Sequence, residues 1–320
     1  MRFGRTNLLA LALAATLFSL VGQTMAQSEP MNWTFAVGDR FEVSLSQSST
    51  ANNKLESRKT SIKNTTKLKM SWEVKSVADR IATIEQAILR ISLDVNNPAI
   101  PSQAIALDTS ASEEEAKEYS KSSKALLKQI KPLIGLKFNV AMASTGEIQE
   151  VTLPPESAEV INQLPDTVRI RRLFSPEGLN QVLGASAVVF PEKPMETGTS
   201  WTEEKSAATP LGEFTRKRAY TVVGKKTLDG QELTEIRMEP TLVSVEAAKE
   251  GGSVESSLDA KLISFSGSGT LLVDAKDGYL KSSSFENELK SERPYREKVI
   301  ETVVKNQIQM TINKTAQEKQ

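Results

Sequence analysis

Apolar and polar residues alternate with a period of two along several stretches of the chain. The alternation is clear in Arg40–Ser46, in Leu68–Val74 and again in Leu233–Met238. It is typical of antiparallel strands that pack one face on a core and expose the other. The stretch Val299–Ile312 can form one further long strand. The pattern predicts a mainly β protein with antiparallel curved sheets, half-barrel-like, and a few short helices.

The helices are predicted from their end signals. Ser112 and the three acids Glu113–Glu115 have the form of a capping box, which predicts an inserted helix near 112–131. A second short helix is predicted over Glu156–Leu164. A third is predicted to begin at Pro176, after Ser175 as its cap.

Three landmarks recur in the same order in the two halves of the chain. The pairs are Val37–Phe41 with Thr197–Trp201, Trp72–Val74 with Tyr220–Val222, and the turn at Gly146 with the turn at Gly278. An internal duplication of a β unit explains them, although unrelated Gly turns between alternating strands would give a similar pattern. A duplication predicts two similar β units, 27–152 and 195–320, joined by a helical connector, 153–194.

The first residues have the features of a secretory signal peptide. Arg2 and Arg5 precede the apolar run Leu8–Val21, and small residues lead to Ala26. The apolar run is shorter than the roughly 20 residues that a membrane span needs. We therefore expect a signal peptide over 1–26, cleavage after Ala26, and a secreted or periplasmic protein that does not span a membrane after cleavage.

The composition narrows the chemistry further. The chain has no Cys and no His, which argues against disulfides, typical zinc or copper sites and His-dependent nucleophiles. Its 40 basic and 40 acidic residues balance, so we expect no nucleic-acid partner. These features predict a protein that is not an enzyme, with no catalytic residue, no metal site and no cofactor.

Carboxylates are the remaining route to catalysis. Glycoside hydrolysis needs two carboxyls that face each other at about 5–10 Å. The clusters Glu113–Glu115 and Glu203–Glu204 are sequence neighbours whose side chains diverge, so we expect a helix first turn and a solvated strand end. The basic cluster Arg169–Arg172 could hold an anionic group, but such a run is more often a solvated edge.

Aromatic residues in strand-like segments suggest a binding function. Trp72, Phe138, Trp201 and Phe265 could line an apolar cavity inside a curved sheet, or could be ordinary core. The favoured hypothesis is an exported, non-catalytic binding module for an apolar or lipid-like ligand. The alternatives are a structural or protein-interaction module of the cell envelope, using a strand edge at Val299–Ile312, and, less favoured, a carboxylate-dependent hydrolase. The expected partner is a hydrophobic small molecule or an envelope protein.

Five short motifs resemble a known family when they are taken in order. They are VGDRF at 37–41, LPP at 153–155, LFSPEGL at 173–179, FPEKPMETGTSW at 190–201 and GSGTLLVDAKDGYL at 267–280. Together they resemble a secreted bacterial family of unknown function (domain of unknown function 6263). That family has no established activity, so the resemblance implies a β-rich exported protein and no functional residue.

Overall fold

The computed structural model describes residues 30–164, 174–186, 188–209, 212–246 and 261–315. The predicted signal peptide and the basic cluster Arg169–Arg172 lie outside these residues. The strands are β1 (Arg40–Leu55), β2 (Arg58–Ala78), β3 (Ile81–Asn96), β4 (Ile105–Asp108), β5 (Lys137–Ala143), β6 (Ile148–Thr152), β7 (Ser200–Thr209), β8 (Gly212–Leu228), β9 (Gln231–Glu246), β10 (Lys261–Asp274), β11 (Tyr279–Tyr295) and β12 (Lys298–Thr315). The helices are α1 (Glu113–Lys117), α2 (Lys121–Ile130), α3 (Pro155–Gln163) and α4 (Pro176–Ser186), with single 3-10 turns at Pro101–Gln103 and Lys131–Leu133.

The described strands form one open, curved, antiparallel sheet. Its order is β6-β5-β3-β2-β1-β12-β11-β10-β9-β8-β7, and β4 pairs with β3 off this path. The predicted mainly β, antiparallel fold with few helices is therefore confirmed. The two predicted units lie side by side in a single sheet, because β1 of the first pairs with β12 of the second along its whole length.

The landmarks that recur in the sequence also have matching backbone geometry. Gly38 has a φ of 85° and donates to the Val74 carbonyl at 2.9 Å, while Gly198 has a φ of 90° and donates to the Val222 carbonyl at 2.8 Å. In both halves a register shift follows directly after that valine. The duplication stays a prediction, and this shared geometry supports it.

The two Gly turns hold the same segment of chain. Residues 31–36 cross one end of the sheet before β1 begins. The Trp33 amide donates to the Ser144 carbonyl at 2.7 Å, in the turn that contains Gly146. The next residue, Thr34, donates to the Gly278 carbonyl at 2.6 Å. Both glycines have positive φ, 93° and 66°, a conformation that other residues adopt at a cost. The repeated turns thus fix one crossing segment to both halves of the sheet.

Buried side chains gather on one face and at one end of the sheet. We call this the core face, and its alternate residues include Phe41 and Val43 on β1 and Ile312 on β12. The central strands continue far beyond this core. Within 46–66, 261–269 and 284–308, which we call the arm, no described residue is buried. The sheet therefore has a packed end and a long, thinly covered extension.

Two expectations about individual elements need correction. The stretch Val299–Ile312 is not an open edge, because β12 pairs with β1 on one side and β11 on the other. The protein-interaction hypothesis in its strand-edge form is wrong for this strand. The region 112–131 holds two helices where one was predicted, since Ser120 begins α2 and accepts a hydrogen bond from the Ser123 amide at 3.1 Å. The capping box at Ser112 is confirmed, with Glu115 as its reciprocal partner.

Candidate functional site

A largely apolar cavity of about 100 Å³ lies between the core face of the sheet and helix α4. Strands β1, β2 and β3 form its floor, because their core-face residues recur at every second position. The floor residues are Leu45, Leu68, Met70, Trp72, Gln86 and Ile88. Most of these follow directly from the alternation in the sequence.

The walls come from β5, β6 and α4. Strands β5 and β6 contribute Phe138, Val140, Met142 and Ile148. Helix α4 packs against β6 and begins where Ser175 Oγ accepts a hydrogen bond from the Gly178 amide at 3.1 Å. Residues four apart share one helix face, so Leu179 and Leu183 both face the cavity. Leu280 and Met310 close it from the second half of the sheet.

Trp33 completes the cavity from the crossing segment. Its indole stacks on Phe35, with ring centroids 5.7 Å apart and an interplanar angle of 18°. Its backbone amide donates a hydrogen bond to the Ser144 carbonyl, which fixes the position of Trp33 at the end of the sheet. Residues 31–36 belong to no described strand, so Trp33 lines the cavity from an irregular segment.

Three polar atoms of the lining residues have no hydrogen-bond partner among the described residues. They are Nε1 of Trp33, Nε1 of Trp72 and Oε1 of Gln86. Trp72 and Gln86 occupy directly opposite positions on β2 and β3, and Phe138 is opposite Gln86 on β5. Every other described lining residue is an aliphatic, thioether or phenylalanine side chain. The cavity therefore combines apolar walls with a few unused polar groups.

The structure brings two of the four predicted lining residues together. Trp72 and Phe138 lie in one cross-strand row with Gln86 between them. Trp201 lies elsewhere, stacked on Tyr220 at 4.9 Å, and its indole donates to the Val189 carbonyl at 2.9 Å. Phe265 lies in the arm. That any of the four contacts a ligand stays a prediction.

Phe265 belongs to an apolar row that crosses the arm. Its neighbours in successive strands are Leu289, Val304, Ala51 and Ile62, all half-buried. Ala51 follows the cavity residue Leu45 by six positions on β1. Because this offset is even, both side chains lie on the same face, and the row lies on the core face. This apolar row is separated from the cavity floor, because Asn64, Ser49, Asn306 and Asn287 form a polar row between them on the same face.

The corresponding part of the second half carries charge. On β8 and β7, Arg218 lies 3.6 Å from Glu203, and the Tyr220 hydroxyl donates to the same carboxylate at 3.0 Å. Glu203 is 10% exposed, so the expectation of a solvated strand end at Glu203–Glu204 is wrong for this residue. Burial and the neighbouring Arg218 lower the pKa of Arg216 to about 10. Burial raises the pKa of Tyr220.

This contrast separates the two halves chemically. If the recurring landmarks are superposed, Arg216 and Arg218 take the places of the cavity residues Leu68 and Met70. An apolar cavity therefore occurs in the first half, where the second half has an ion-paired cluster.

Other chemistry is sparse in the parts of the chain that the structure describes. Those parts contain no group of three acidic side chains placed to hold a metal ion. The acids Glu113–Glu115 form the exposed first turn of α1, as predicted. Among the described helices, none has the length and apolarity to cross a membrane.

Three solved structures have a distant likeness to this chain. An outer membrane channel, COG4313, from Pseudomonas putida F1 is 9% identical, with 88% of this chain and 97% of that chain covered and a TM-score of 0.23. A DUF1329 family protein from Desulfovibrio piger is 11% identical, with 87% of each chain covered and a TM-score of 0.19. The translocator domain of the autotransporter NalP from Neisseria meningitidis is 6% identical, with 86% and 88% covered and a TM-score of 0.15. TM-scores this low carry no argument about function.

The sequence comparisons are more specific. No curated protein matches the chain. One family model matches residues 90–280, which include the end of β3, the walls of the cavity and most of the second half, and its description is a family of unknown function, DUF6263.

Proposed function

We propose that this chain, which belongs to the family of unknown function DUF6263, is an exported, non-catalytic module of the cell envelope that binds an apolar or lipid-like ligand. The observation that carries the proposal is the cavity between the core face and α4, with its apolar lining. Ligand pockets in proteins are mostly apolar, with a few placed polar groups, and this cavity has that character.

The size of the cavity supports a ligand over a simple packing gap. Protein interiors leave few voids larger than a water molecule, and about 15 Å³ is enough for one water. A cavity of about 100 Å³ is several times larger. It is large enough for part of an alkyl chain.

The non-catalytic part of the proposal rests on the side chains available. The sequence has no His or Cys, and no ionisable group occurs among the described lining residues. General acid–base and nucleophilic catalysis both need such a group within reach of the bound molecule. Export to the envelope rests on the features of residues 1–26.

Native mass spectrometry of the protein purified from a bacterial periplasm tests the proposal. We expect a co-purified lipid-like adduct, or uptake of the apolar fluorophore 1-aminoanthracene that added long-chain lipids displace. Protein that carries no adduct and takes up neither probe nor lipid would refute it.

A matched pair of variants locates the binding. Leu183→Trp fills the cavity from α4, whereas Leu127→Trp adds the same volume to a half-buried helical position outside it. We expect the first variant to lose fluorophore binding and the second to keep it, with both folded by circular dichroism. Equal binding by the two variants would place the fluorophore elsewhere.

A further inference from the structure

The cavity contains a donor and an acceptor that nothing in the described part of the chain uses. Gln86 is 2% exposed and Trp72 is 7% exposed, so neither side chain reaches bulk water. The great majority of buried polar groups in proteins have a hydrogen-bond partner, and a buried group without one needs an explanation. Here the side-chain amide oxygen of Gln86 and the indole N–H of Trp72 both have no hydrogen-bond partner among the described residues.

The two groups are neighbours. Trp72 and Gln86 are directly opposite each other on β2 and β3. Side chains at such positions start from Cβ atoms about 4.5–5.5 Å apart and lie on the same face. One small polar group in the cavity can therefore contact both. Trp33 also lines the cavity, but its indole Nε1 lies against the turn at Gly146.

The charge around the cavity restricts that group further. No Lys, Arg, Asp or Glu occurs among the described residues that line it. A charged group buried without a partner is strongly disfavoured relative to water. A carboxylate, phosphate or ammonium head group is therefore a poor occupant of this space.

We infer that the ligand is an uncharged amphiphile with a hydroxyl-type group, which enters the cavity and bridges Gln86 and Trp72. This inference rests on the proposed binding function and specifies its ligand class. A hydroxyl donates one hydrogen bond and accepts others, so it can donate to Gln86 Oε1 and accept from Trp72 Nε1. An alkane satisfies neither group. Gln86 is then the residue that determines specificity for a long-chain alcohol over a hydrocarbon.

Four probes with the same alkyl chain test the inference at neutral pH: octan-1-ol, octane, octanoate and octylammonium. We expect octan-1-ol to bind at least about tenfold more tightly than octane, which corresponds to about one net hydrogen bond. The two ions should bind more weakly than the alcohol. The indole N–H signals of Trp72 and Trp33 can be followed by NMR, with Trp201 as the internal control because its N–H already donates to Val189.

Two variants check the role of the amide. Gln86→Leu should remove the preference for octan-1-ol over octane, while Gln309→Leu, at an exposed position outside the cavity, should retain it. Circular dichroism checks that both variants are folded. If a variant does not fold, the four-probe series on the unchanged protein still tests the inference. If octane binds as well as octan-1-ol, or an ion binds best, the inference is wrong and the proposed function stands. If none of the four probes binds, both are wrong.

Discussion

Replacing Gly146 with Ala tests whether the turn between β5 and β6 holds the crossing segment. Gly146 has a φ of 93° and lies against two parts of the chain. A Cβ atom there would lie 2.5 Å from Nε1 of Trp33 and would overlap the carbonyl oxygen of Val188. The substitution therefore adds both backbone strain and steric overlap.

The two contributions can be separated by a control. Gly230→Ala changes a turn with a φ of 78° where nothing lies within 4 Å of the new Cβ. Left-handed backbone destabilises an L-residue by about 1–2 kcal/mol, and this is the whole effect expected in the control. Overlap in a packed site adds roughly 1–3 kcal/mol. We expect Gly146→Ala to lower the free energy of unfolding by about 2–5 kcal/mol.

Urea unfolding followed by circular dichroism measures both variants, with the slope m as a check that the unfolded states are comparable. Because Trp33 lines the cavity, Gly146→Ala should also weaken 1-aminoanthracene binding, and Gly230→Ala should not. Equal losses of stability in the two variants would show that Gly146 makes no close contact with the crossing segment, and the role assigned to this turn would be wrong.

Three further predictions concern stability. Ser112→Ala removes the capping box of α1 and should lower the free energy of unfolding by about 1 kcal/mol in urea titrations. Burial would raise the pKa of Asp108, but hydrogen bonds from Arg90 and Ser110 outweigh it and hold this pKa at about 2. Since this is below the unfolded value of about 3.9, the stabilisation is complete above about pH 4 and is lost as the pH falls through 2. Arg90 is 52% exposed, so solvent screening limits the loss in Asp108→Asn to about 1 kcal/mol at pH 7. Tyr220→Phe removes a hydrogen bond to the largely buried Glu203 and should lower the free energy of unfolding by about 1–3 kcal/mol, measured by urea unfolding.

Each of these has a contradicting result. No change in Ser112→Ala would mean that the cap is not formed in solution. A stability difference for Asp108→Asn that persists unchanged to pH 2 would mean that the carboxylate is not responsible. Unchanged stability in Tyr220→Phe would mean that the hydrogen bond to Glu203 contributes nothing to folding.

Local signals in the sequence predicted much of the fold because the structures they describe are themselves local. The alternation in Leu68–Val74 depends on residues two apart, and the capping box at Ser112 depends on residues three apart. The pairing of β1 with β12 could not be found in this way. It joins residues such as Arg40 and Thr315, which no local pattern connects.

Only part of the candidate site could be predicted, because local patterns in the sequence reveal only residues on regular strands. Trp72 and Phe138 lie in alternating strands, so their core-face positions could be inferred. Gln86 was missed, although its signal was present: it lies in phase with Ile84 and Ile88 on β3, at a position where an apolar residue is expected. The position of Trp33 depends on the hydrogen bonds that hold residues 31–36 to the turns at Gly146 and Gly278, and no local pattern shows those bonds.

The pairing of β1 with β12 has a consequence for the order of assembly. As the chain emerges with its N-terminal part first, β1 can form a hairpin with β2 at once, but its other side has no native neighbour until β12 follows all the other described strands. During that interval β1 presents unpaired amides and carbonyls, which are prone to join wrong partners. Closing so long a loop is also slow. We therefore expect the joining of the two halves to be the last and most aggregation-prone step of folding, and helper proteins that delay premature strand pairing to act at this step.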